Sequence, residues 1–330
     1  MMDWTDRHCR FFLRLVSPRV RLYTEMVTTG ALQFGNVPRH LDFDPAEHPV
    51  ALQLGGSDPL HLAHSAKLGE AWGYDEINLN VGCPSERVQT GSFGACLMGE
   101  PALVAECVKA MRDAVPLLIT VKHRIGIDAV DEYAFVRDFV GTVAAAGCGT
   151  FMAHARNAIL KGLSPKENRE VPPLKYDYVH RLKRDFPDLT IVINGGITTH
   201  AAIARELEHV DGVMLGRAAY HDPWLLAQAE SYCFGGEPPP QTRADVIAAL
   251  VPYAEVQLSR GVHLRAIARH VLGLYHGQPG GRRFRQMLSD ARLLQRGDPR
   301  LLLDAAAAVE GAAPDRLMEQ AEPAGAAPAA

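Results

Sequence analysis

Short apolar runs recur along the chain, and each is followed by a stretch with helical periodicity. The runs that predict strands are RLYTEMV (21–27), VALQLGG (50–56), EINLNVG (76–82), LLITVKH (117–123), GTFMAHA (149–155), TIVINGG (190–196) and GVMLGRA (212–218). Near-continuous apolar strands that alternate with helices indicate a parallel sheet covered by helices. The repeat predicts a TIM (β/α)8 barrel, since no GxGxxG follows an early strand as an open doubly wound dinucleotide fold would require.

Only seven strands are visible in this pattern, whereas a TIM barrel has eight. The first twelve residues read as a loop that enters the helix CRFFLRLV, with no strand before it. We therefore expect the first strand to lie upstream of Met1, because without it the sheet keeps two unpaired edges. A barrel that closes in a different way is the alternative.

The domain organisation follows from composition along the chain. Residues 1–234 are predicted to form the barrel, and GGEPPPQ (235–241) is a stiff linker that breaks helices. Thr242 and Asp245 form a predicted capping box that opens a helical domain over 242–309. The Ala/Pro-rich residues 310–330 are predicted to be disordered.

Composition and charge narrow the class of protein. The 330 residues are 47% hydrophobic, the charged N-terminus lacks a secretory pattern, and six scattered cysteines include no CxxC pair. We expect a cytoplasmic protein without membrane span, disulfide framework or metal. The net charge is −4, yet residues 243–300 hold ten arginines and four acids, so that region carries +6 and the remainder −10. This asymmetry indicates that the C-terminal part meets a polyanion.

Polar residues follow most of the predicted strands. In a parallel barrel these strand ends meet at one mouth, where active residues lie. One such residue would be an ordinary cap, but this many in register indicate a functional mouth. The strand-end residues are Gln53, Asn78, Asn80, Cys83, Lys122, Arg124, His154, Arg156, Asn194 with Gly195 and Gly196, and Gly216 with Arg217.

The last two strand ends predict a phosphate site. Glycines after these strands let backbone amides approach phosphate oxygens, and Arg217 supplies a charged donor. Two ordinary glycine-containing turns are the alternative. Lys122 and His154 can stabilise negative charge on a reduced flavin, and Gln53 suits the uracil-like edge of the ring. Together these residues favour FMN as the cofactor.

Cys83 lies in the loop NVGCPS, directly after a strand. Thiols are mostly protonated at neutral pH, so a thiol held over the mouth can serve as a general acid. The flanking Gly82 and Pro84 fix a sharp loop, which favours this role over simple packing. By contrast, Cys107 and Cys148 read as buried apolar residues, and Cys96 reads as a packing residue.

Two further segments carry positive charge. On a single predicted helix from Gly281 to Arg296, Arg282, Arg285, Arg292 and Arg296 fall within about 80° of one another. A solvated face is the alternative, but a stripe of one sign that includes an i,i+4 arginine pair favours contact with RNA phosphates. The Pro-bounded segment 162–176 is predicted to lie over the mouth, with Lys166 and Arg169 facing phosphates.

Taken together, these residues resemble the tRNA-dihydrouridine synthases of the bacterial DusA type. The resemblance runs from Met1 to about Asp290. It rests on MMDWTDRHCR, LYTEMVTTGA, ALQLGGSDP, YDEINLNVGCPS, TVKHRIGID, HARNAILKGLSPKENREVPPL, NGGI, VDGVMLGRAAYHDPW and GQPGGRRFR. One departure is that the family has a strand ending in Ala-Pro before the Met-Met pair, and this chain lacks it.

The resemblance implies specific residue roles. Cys83 would donate a proton to the substrate. The implied FMN ligands are Met1, Met2, Gln53, Lys122, His154, Asn194, Gly195, Gly196, Gly216 and Arg217, and the implied tRNA contacts are Asn80, Lys166, Arg169, Arg282 and Arg285.

The implied reaction is reduction of the uridine C5–C6 double bond in the tRNA D-loop, at positions 20 and 20a, by a monomeric enzyme. NADPH would reduce FMN, and the uracil would be turned out of the folded RNA into the pocket. The alternatives are a flavin barrel that acts on free pyrimidines, as dihydroorotate-type dehydrogenases do, and a non-catalytic RNA-binding protein. Removal of residues 242–330 distinguishes the tRNA reductase from the free-pyrimidine enzyme, because only activity on a free pyrimidine would survive it.

Overall fold

The computed structural model describes residues 2–85, 88, 91–130, 132–235 and 242–311. These residues belong to two compact units, one up to Pro239 and one from Pro240 onward. The predicted linker, apart from Gly235, and the predicted tail beyond Gly311 lie outside the described residues.

The first unit is built on a parallel sheet whose buried apolar strands agree with the predicted runs. The strands are β1 (Leu22–Tyr23), β2 (Val27–Thr28), β3 (Val50–Gly55), β4 (Glu76–Val81), β5 (Leu118–Arg124), β6 (Thr150–His154), β7 (Thr190–Asn194) and β8 (Gly212–Met214). From β3 to β8 each strand pairs in parallel with the next one, and β1 and β2 both pair with β3. Successive strands therefore end at the same edge of the sheet.

The first predicted strand, 21–27, is wrong as a single element. The chain forms two two-residue strands because Thr24 interrupts the ladder: its Oγ1 accepts a hydrogen bond from the Gln53 backbone N–H at 2.9 Å. That side-chain oxygen takes the place of a backbone acceptor, so the regular pairing stops there and resumes at Val27.

Helices lie between successive strands from β2 onward, and several begin at side-chain caps. The helices of this unit are α1 (Arg7–Val16), α2 (Thr29–Phe34), α3 (Val37–Leu41), α4 (Pro59–Ala71), α5 (Pro101–Ala114), α6 (Tyr133–Ala145), α7 (Tyr176–Asp185), α8 (His200–Leu207), α9 (Arg217–His221) and α10 (Trp224–Phe234). Asp6, Asp58 and Thr199 cap α1, α4 and α8 by accepting backbone N–H bonds.

This alternation of parallel strands and helices confirms the predicted barrel class. Among the described residues β8 pairs with β7 alone, so the sheet curls without closing between β8 and β1. The strand expected upstream of Met1 remains a prediction. No described helix is long and apolar enough to span a lipid bilayer.

The second unit is helical. Its helices are α11 (Arg243–Ser259), α12 (Leu264–Val271), α13 (Gly281–Ser289), α14 (Ala291–Gln295) and α15 (Arg300–Glu310). The predicted capping box is confirmed, because Thr242 and Asp245 bond each other's backbone N–H groups. Phe284 and Leu288 of α13 are buried in this unit.

The single helix predicted from Gly281 to Arg296 is wrong. Asp290 leaves the helical conformation, with φ −73° and ψ 113°, and its carboxylate accepts bonds from the Arg292 and Leu293 backbone N–H groups. Asp290 therefore ends α13 and caps a new helix. The four arginines do not share one helix face, although Arg282 and Arg285 remain together on the exposed side of α13.

Candidate active site at the strand ends

A ladder of buried amides crosses the inside of the sheet. Strand register places Gln53 beside Asn78, and Asn78 beside Thr120. Gln53 Nε2 donates to Asn78 Oδ1 at 2.9 Å, and Asn78 Nδ2 donates to Thr120 Oγ1 at 2.8 Å. Thr120 in turn donates to the buried Glu76 carboxylate. Each polar group thus has a partner, which offsets the cost of its burial.

The chain of hydrogen-bonded side chains continues through Asn80 to the loop that carries Cys83. Asn80 Nδ2 donates to Gln53 Oε1 at 2.9 Å, while Asn80 Oδ1 accepts from the backbone N–H groups of Gly82 at 3.1 Å and Cys83 at 3.0 Å. One side chain therefore fixes both the Gln53 amide and the backbone of the cysteine loop.

The thiol of Cys83 is half-buried, with Sγ 3.6 Å from Ser85 Oγ. Cys107 and Cys148 are buried, as predicted, and burial raises the pKa of each thiol to about 12. Cys96 is half-buried, with its Sγ 3.1 Å from the Phe93 carbonyl oxygen. Only Cys83 among these four stands at a strand end.

Cationic side chains gather around Cys83. Lys122, Arg124 and Arg169 each interact electrostatically with it. Burial, followed by the charge of Arg124, lowers the pKa of Lys122 to about 8, so its ammonium is still mostly charged at pH 7. The mouth around the cysteine loop therefore carries positive charge, which favours an anionic ligand.

His154 lies at the end of β6, beside Arg124 and Asn194 in the register. Burial, with the charges of Arg124 and Lys122, holds the pKa of His154 well below its usual range. The imidazole is therefore neutral at physiological pH and offers a hydrogen bond rather than a charge.

The turn after β7 approaches His154 so closely that only glycine fits. Gly195 has φ +117°, and a Cβ there would lie 2.7 Å from His154 Cδ2. Gly196 has φ +69°, and a Cβ there would lie 2.6 Å from Leu174 Cδ1. The bare backbone of this turn provides the close approach that a phosphate or another anion needs.

Two groups hold this glycine turn. Asn194 Nδ2 donates to the Met214 carbonyl of β8 at 2.7 Å. The hydroxyl of Tyr176, the first residue of α7, donates to the Gly195 carbonyl at 2.6 Å. These two bonds fasten the end of β7 to β8 and the Gly195 carbonyl to α7.

The segment 162–176 is tied to the mouth by Arg217. Its guanidinium pairs with Glu170 Oε1 at 2.6 Å and donates to the Arg169 carbonyl at 3.1 Å. Arg156 donates to the carbonyls of Glu170 and Pro172. Arg169, on this segment, interacts electrostatically with Cys83.

The structure brings together most of the predicted site residues of the first unit: Gln53, Asn80, Cys83, Lys122, His154, Asn194, Gly195, Gly196, Gly216, Arg217 and Arg169. Gly216 directly precedes α9, which Arg217 begins. Met2 is exposed, Lys166 is exposed on the same segment as Arg169, and Met1 lies outside the described residues. Arg282 and Arg285 belong to the second unit.

Sequence reasoning missed Tyr176 and Asn157. Nothing in the local pattern marks Tyr176, because its partner Gly195 is nineteen positions away. Asn157 stands three residues after His154 in HARN, and its side chain is buried with Oδ1 lacking a partner among the described residues. An amide so close to a strand end was the available clue.

Fold and site together define an α/β protein of the parallel barrel type, with a cationic mouth around a loop cysteine. Residues 1–310 match the dihydrouridine synthase (Dus) family. The chain is 61% identical over 289 residues to the tRNA-dihydrouridine(20/20a) synthase of Pseudomonas aeruginosa, which covers 88% of this chain and 87% of that protein. It is 59% identical over 290 residues to the enzyme of that name from Xanthomonas campestris, covering 88% and 86%.

A third relative, the tRNA-dihydrouridine(20/20a) synthase of Salmonella typhimurium, is 58% identical over 291 residues, which cover 88% of this chain and 87% of that protein. The chain belongs to the dihydrouridine synthase family, a flavin-dependent family of oxidoreductases.

Proposed function

We propose that this protein reduces uridine to dihydrouridine at positions 20 and 20a of the tRNA D-loop, with FMN as cofactor and NADPH as reductant. The names of relatives that are 58–61% identical over most of the chain support the substrate. The observation that carries the chemistry is a half-buried thiol at a strand end, on a loop whose backbone N–H groups Asn80 holds and with cations beside it.

The residues at the mouth fit FMN. Gln53 is fixed by one bond at each end of its amide, so Nε2 keeps one hydrogen and Oε1 one lone pair for the edge of the flavin ring. Lys122 and His154 would face the ring, and Asn194, Gly195, Gly196, Gly216 and Arg217 would hold the phosphate, with Met1 and Met2 as further contacts. The close approach at Gly195 is the feature that a phosphate uses.

Reduction adds a hydride to C6 of the uracil and a proton to C5. FMN supplies the hydride when it is bound. The Cys83 thiol donates the proton to C5, at a mouth that also carries the side chains of Lys122, Arg124 and Arg169. Asn80 keeps the cysteine loop in place, so the thiol is oriented before the base arrives.

Arginines and one amide are proposed to bind the tRNA. Arg282 and Arg285 are exposed on α13 and suit backbone phosphates, as do Lys166 and Arg169 beside the mouth. Asn80 retains a second Nδ2 hydrogen for the RNA after its bond to Gln53.

The test measures dihydrouridine in unmodified tRNA by mass spectrometry, after incubation with NADPH. Cys83→Ala should lower product formation by at least about 100-fold, the usual contribution of a general acid, while the flavin remains bound. Cys233→Ala, which changes an exposed cysteine on α10, serves as the matched control. Wild-type activity in Cys83→Ala would refute the acid role, and a colourless protein that refuses added FMN would refute the cofactor.

A further inference from the structure

Arg124 is a strand-end residue that neither the proposed proton transfer nor the proposed cofactor contacts use. It is the last residue of β5 and is 3% exposed, so its guanidinium is almost entirely removed from solvent. Burial lowers the pKa of Arg124 to about 10, which leaves the side chain charged at pH 7. A buried charge is costly unless neighbouring groups compensate it. The groups that compensate Arg124 therefore indicate what it does.

Backbone carbonyl groups compensate the charge of Arg124. Its Nε donates to the Gly82 carbonyl at 3.1 Å. Its Nη1 donates to the carbonyls of Asn157 at 3.1 Å and Asn168 at 2.9 Å. No ion pair joins Arg124 to a carboxylate within the part of the chain that the structure describes. A planar guanidinium suits this arrangement, because it holds several acceptors at fixed angles.

The carbonyls that Arg124 holds belong to two separate connections of the mouth. Gly82 directly precedes Cys83 in the connection after β4. Asn168 directly precedes Arg169 in the connection after β6. One side chain therefore bonds the backbone next to the proposed proton donor and the backbone next to a proposed RNA contact.

Asn168 fixes its part of this arrangement. Its side chain is fully buried, Nδ2 donates to the Ile159 carbonyl at 2.8 Å, and Oδ1 accepts from the Ile159 backbone N–H at 2.7 Å. The carbonyl that Arg124 holds thus belongs to a loop with a defined conformation. Because Arg169 follows Asn168 directly, a displacement of the Asn168 carbonyl would displace the Arg169 side chain as well.

The charges around Arg124 distinguish it from a buried arginine that only supports the fold. Arg156 and Arg169 act against the charge of Arg124. Arg14 offers the comparison: it is 8% exposed and also donates to backbone carbonyls, but carboxylates, Glu230 first among them, favour its charged form. Cations gathered without an acid cost stability, and a bound polyanion offsets this cost. The surroundings of Arg124 therefore favour a role in RNA binding.

We propose that Arg124 is a positioning residue that holds the Cys83 loop and Arg169 in one arrangement. This inference rests on the proposed function, which assigns Arg169 to the RNA and Cys83 to the proton transfer. Arg124 acts through the carbonyls of Gly82 and Asn168, so the RNA contact and the proton donor are placed together before the base arrives. Loss of the guanidinium should therefore raise the KM for tRNA and lower kcat.

A double-mutant cycle tests this coupling. The kcat/KM for unmodified tRNA is measured for wild type, Arg124→Lys, Arg169→Ala and the double variant. Lysine keeps the charge but lacks the planar fork, so it cannot hold all the carbonyls together. Arg169→Ala should lower kcat/KM about tenfold in the wild-type background, but less than about twofold in Arg124→Lys, because Arg169 is already displaced in that variant. An equal effect in both backgrounds would overturn the inference.

A second readout needs no turnover. Trypsin cleavage after Lys166 and Arg169, in the FMN-loaded protein without tRNA, should be about tenfold faster in Arg124→Lys, because a lost bond to a charged group frees the segment. Arg14→Lys is the matched control. Arg14 bonds the carbonyl of Pro49, directly before β3, and so lies at the opposite end of the sheet. This control should keep the effect of Arg169→Ala and the cleavage rate within about twofold of wild type.

Arg124→Gln, which keeps a donor but not the charge, is the second variant and should show the same loss of coupling. An unchanged cleavage rate in both Arg124 variants would contradict the inference. If neither variant folds, as judged by urea unfolding and FMN binding, Arg124 is a requirement of the barrel alone and the inference fails. If wild type forms no dihydrouridine on tRNA, the proposed function fails, whereas the cleavage assay still decides whether Arg124 holds the segment.

Discussion

The buried amide ladder makes Asn78 the position where stability and cofactor binding should change together. Asn78 is fully buried and connects Gln53, at 2.9 Å, to Thr120, at 2.8 Å. Asn78→Leu keeps the approximate size of the side chain but removes both bonds. It also leaves one hydrogen of Gln53 Nε2 buried without an acceptor.

The magnitude follows from that count. One orphaned buried donor costs about 1–3 kcal/mol, and the added apolar burial of leucine offsets part of this. We therefore expect the free energy of unfolding to fall by about 2 kcal/mol. Because the Gln53 amide loses one of its two fixed ends, we also expect FMN to bind about tenfold more weakly.

Urea unfolding followed by tryptophan fluorescence suits this measurement, since Trp4, Trp72 and Trp224 all lie in the first unit. FMN affinity is measured by the change in flavin fluorescence. Thr142→Val is the control: it removes an exposed hydroxyl bond to the Asp138 carbonyl and should stay within about 0.5 kcal/mol of wild type.

The two readouts refute different parts of the reasoning. A variant as stable as wild type would show that the ladder does not stabilise the barrel. A destabilised variant with unchanged FMN affinity would show that Gln53 is not a ligand of the flavin.

Three further predictions concern the mouth and the second unit. Gly195→Ala should weaken FMN binding by at least tenfold. The added Cβ would lie 2.7 Å from His154 Cδ2, and a φ of +117° disfavours any side chain. Titration with FMN measures the affinity, and a wild-type value would contradict the prediction. The pKa of Lys122 is lowered to about 8, so FMN binding should weaken as the pH rises from 7 to 9. The FMN affinity of Lys122→Met should not show this pH dependence. A pH profile equal to that of wild type would exclude Lys122 as its cause. Arg285→Glu should weaken tRNA binding and reduce, by about 1, the slope of the logarithm of the association constant against the logarithm of the salt concentration. Filter binding measures this slope. An unchanged slope would exclude a phosphate contact at Arg285.

The Lys122 prediction has a counterpart in stability. The folded-state pKa is lower than that of an exposed lysine, so between about pH 8 and the ordinary value the unfolded chain binds more protons than the folded chain. Stability of the protein without ligand should therefore rise with pH in this window. An anion bound beside Lys122 favours the charged form of this lysine, so with the anion present stability should rise less with pH.

Local patterns were sufficient for strands β3 to β8, the helices between them and the capping box at Thr242. Each depends on residues within one element: apolar runs for β3 to β8, and a side chain within three positions for the cap. The break at Asp290 was also readable, because Ser-Asp before an apolar pair is a helix start. The helix prediction failed because the arginine stripe was extended across that cap.

The order of elements, the barrel class and the polar residues that end the strands follow from periodicity and turn chemistry along the chain. How those residues act on one another depends on contacts between distant parts of the chain. The bond from Gln53 to Asn78 spans 25 positions and that from Tyr176 to Gly195 spans 19, so both depend on strand register and helix placement. The electrostatic interaction of Lys122, Arg124 and Arg169 with Cys83 likewise exists only after the strand ends converge, as does the burial of the Asn157 oxygen without a partner among the described residues.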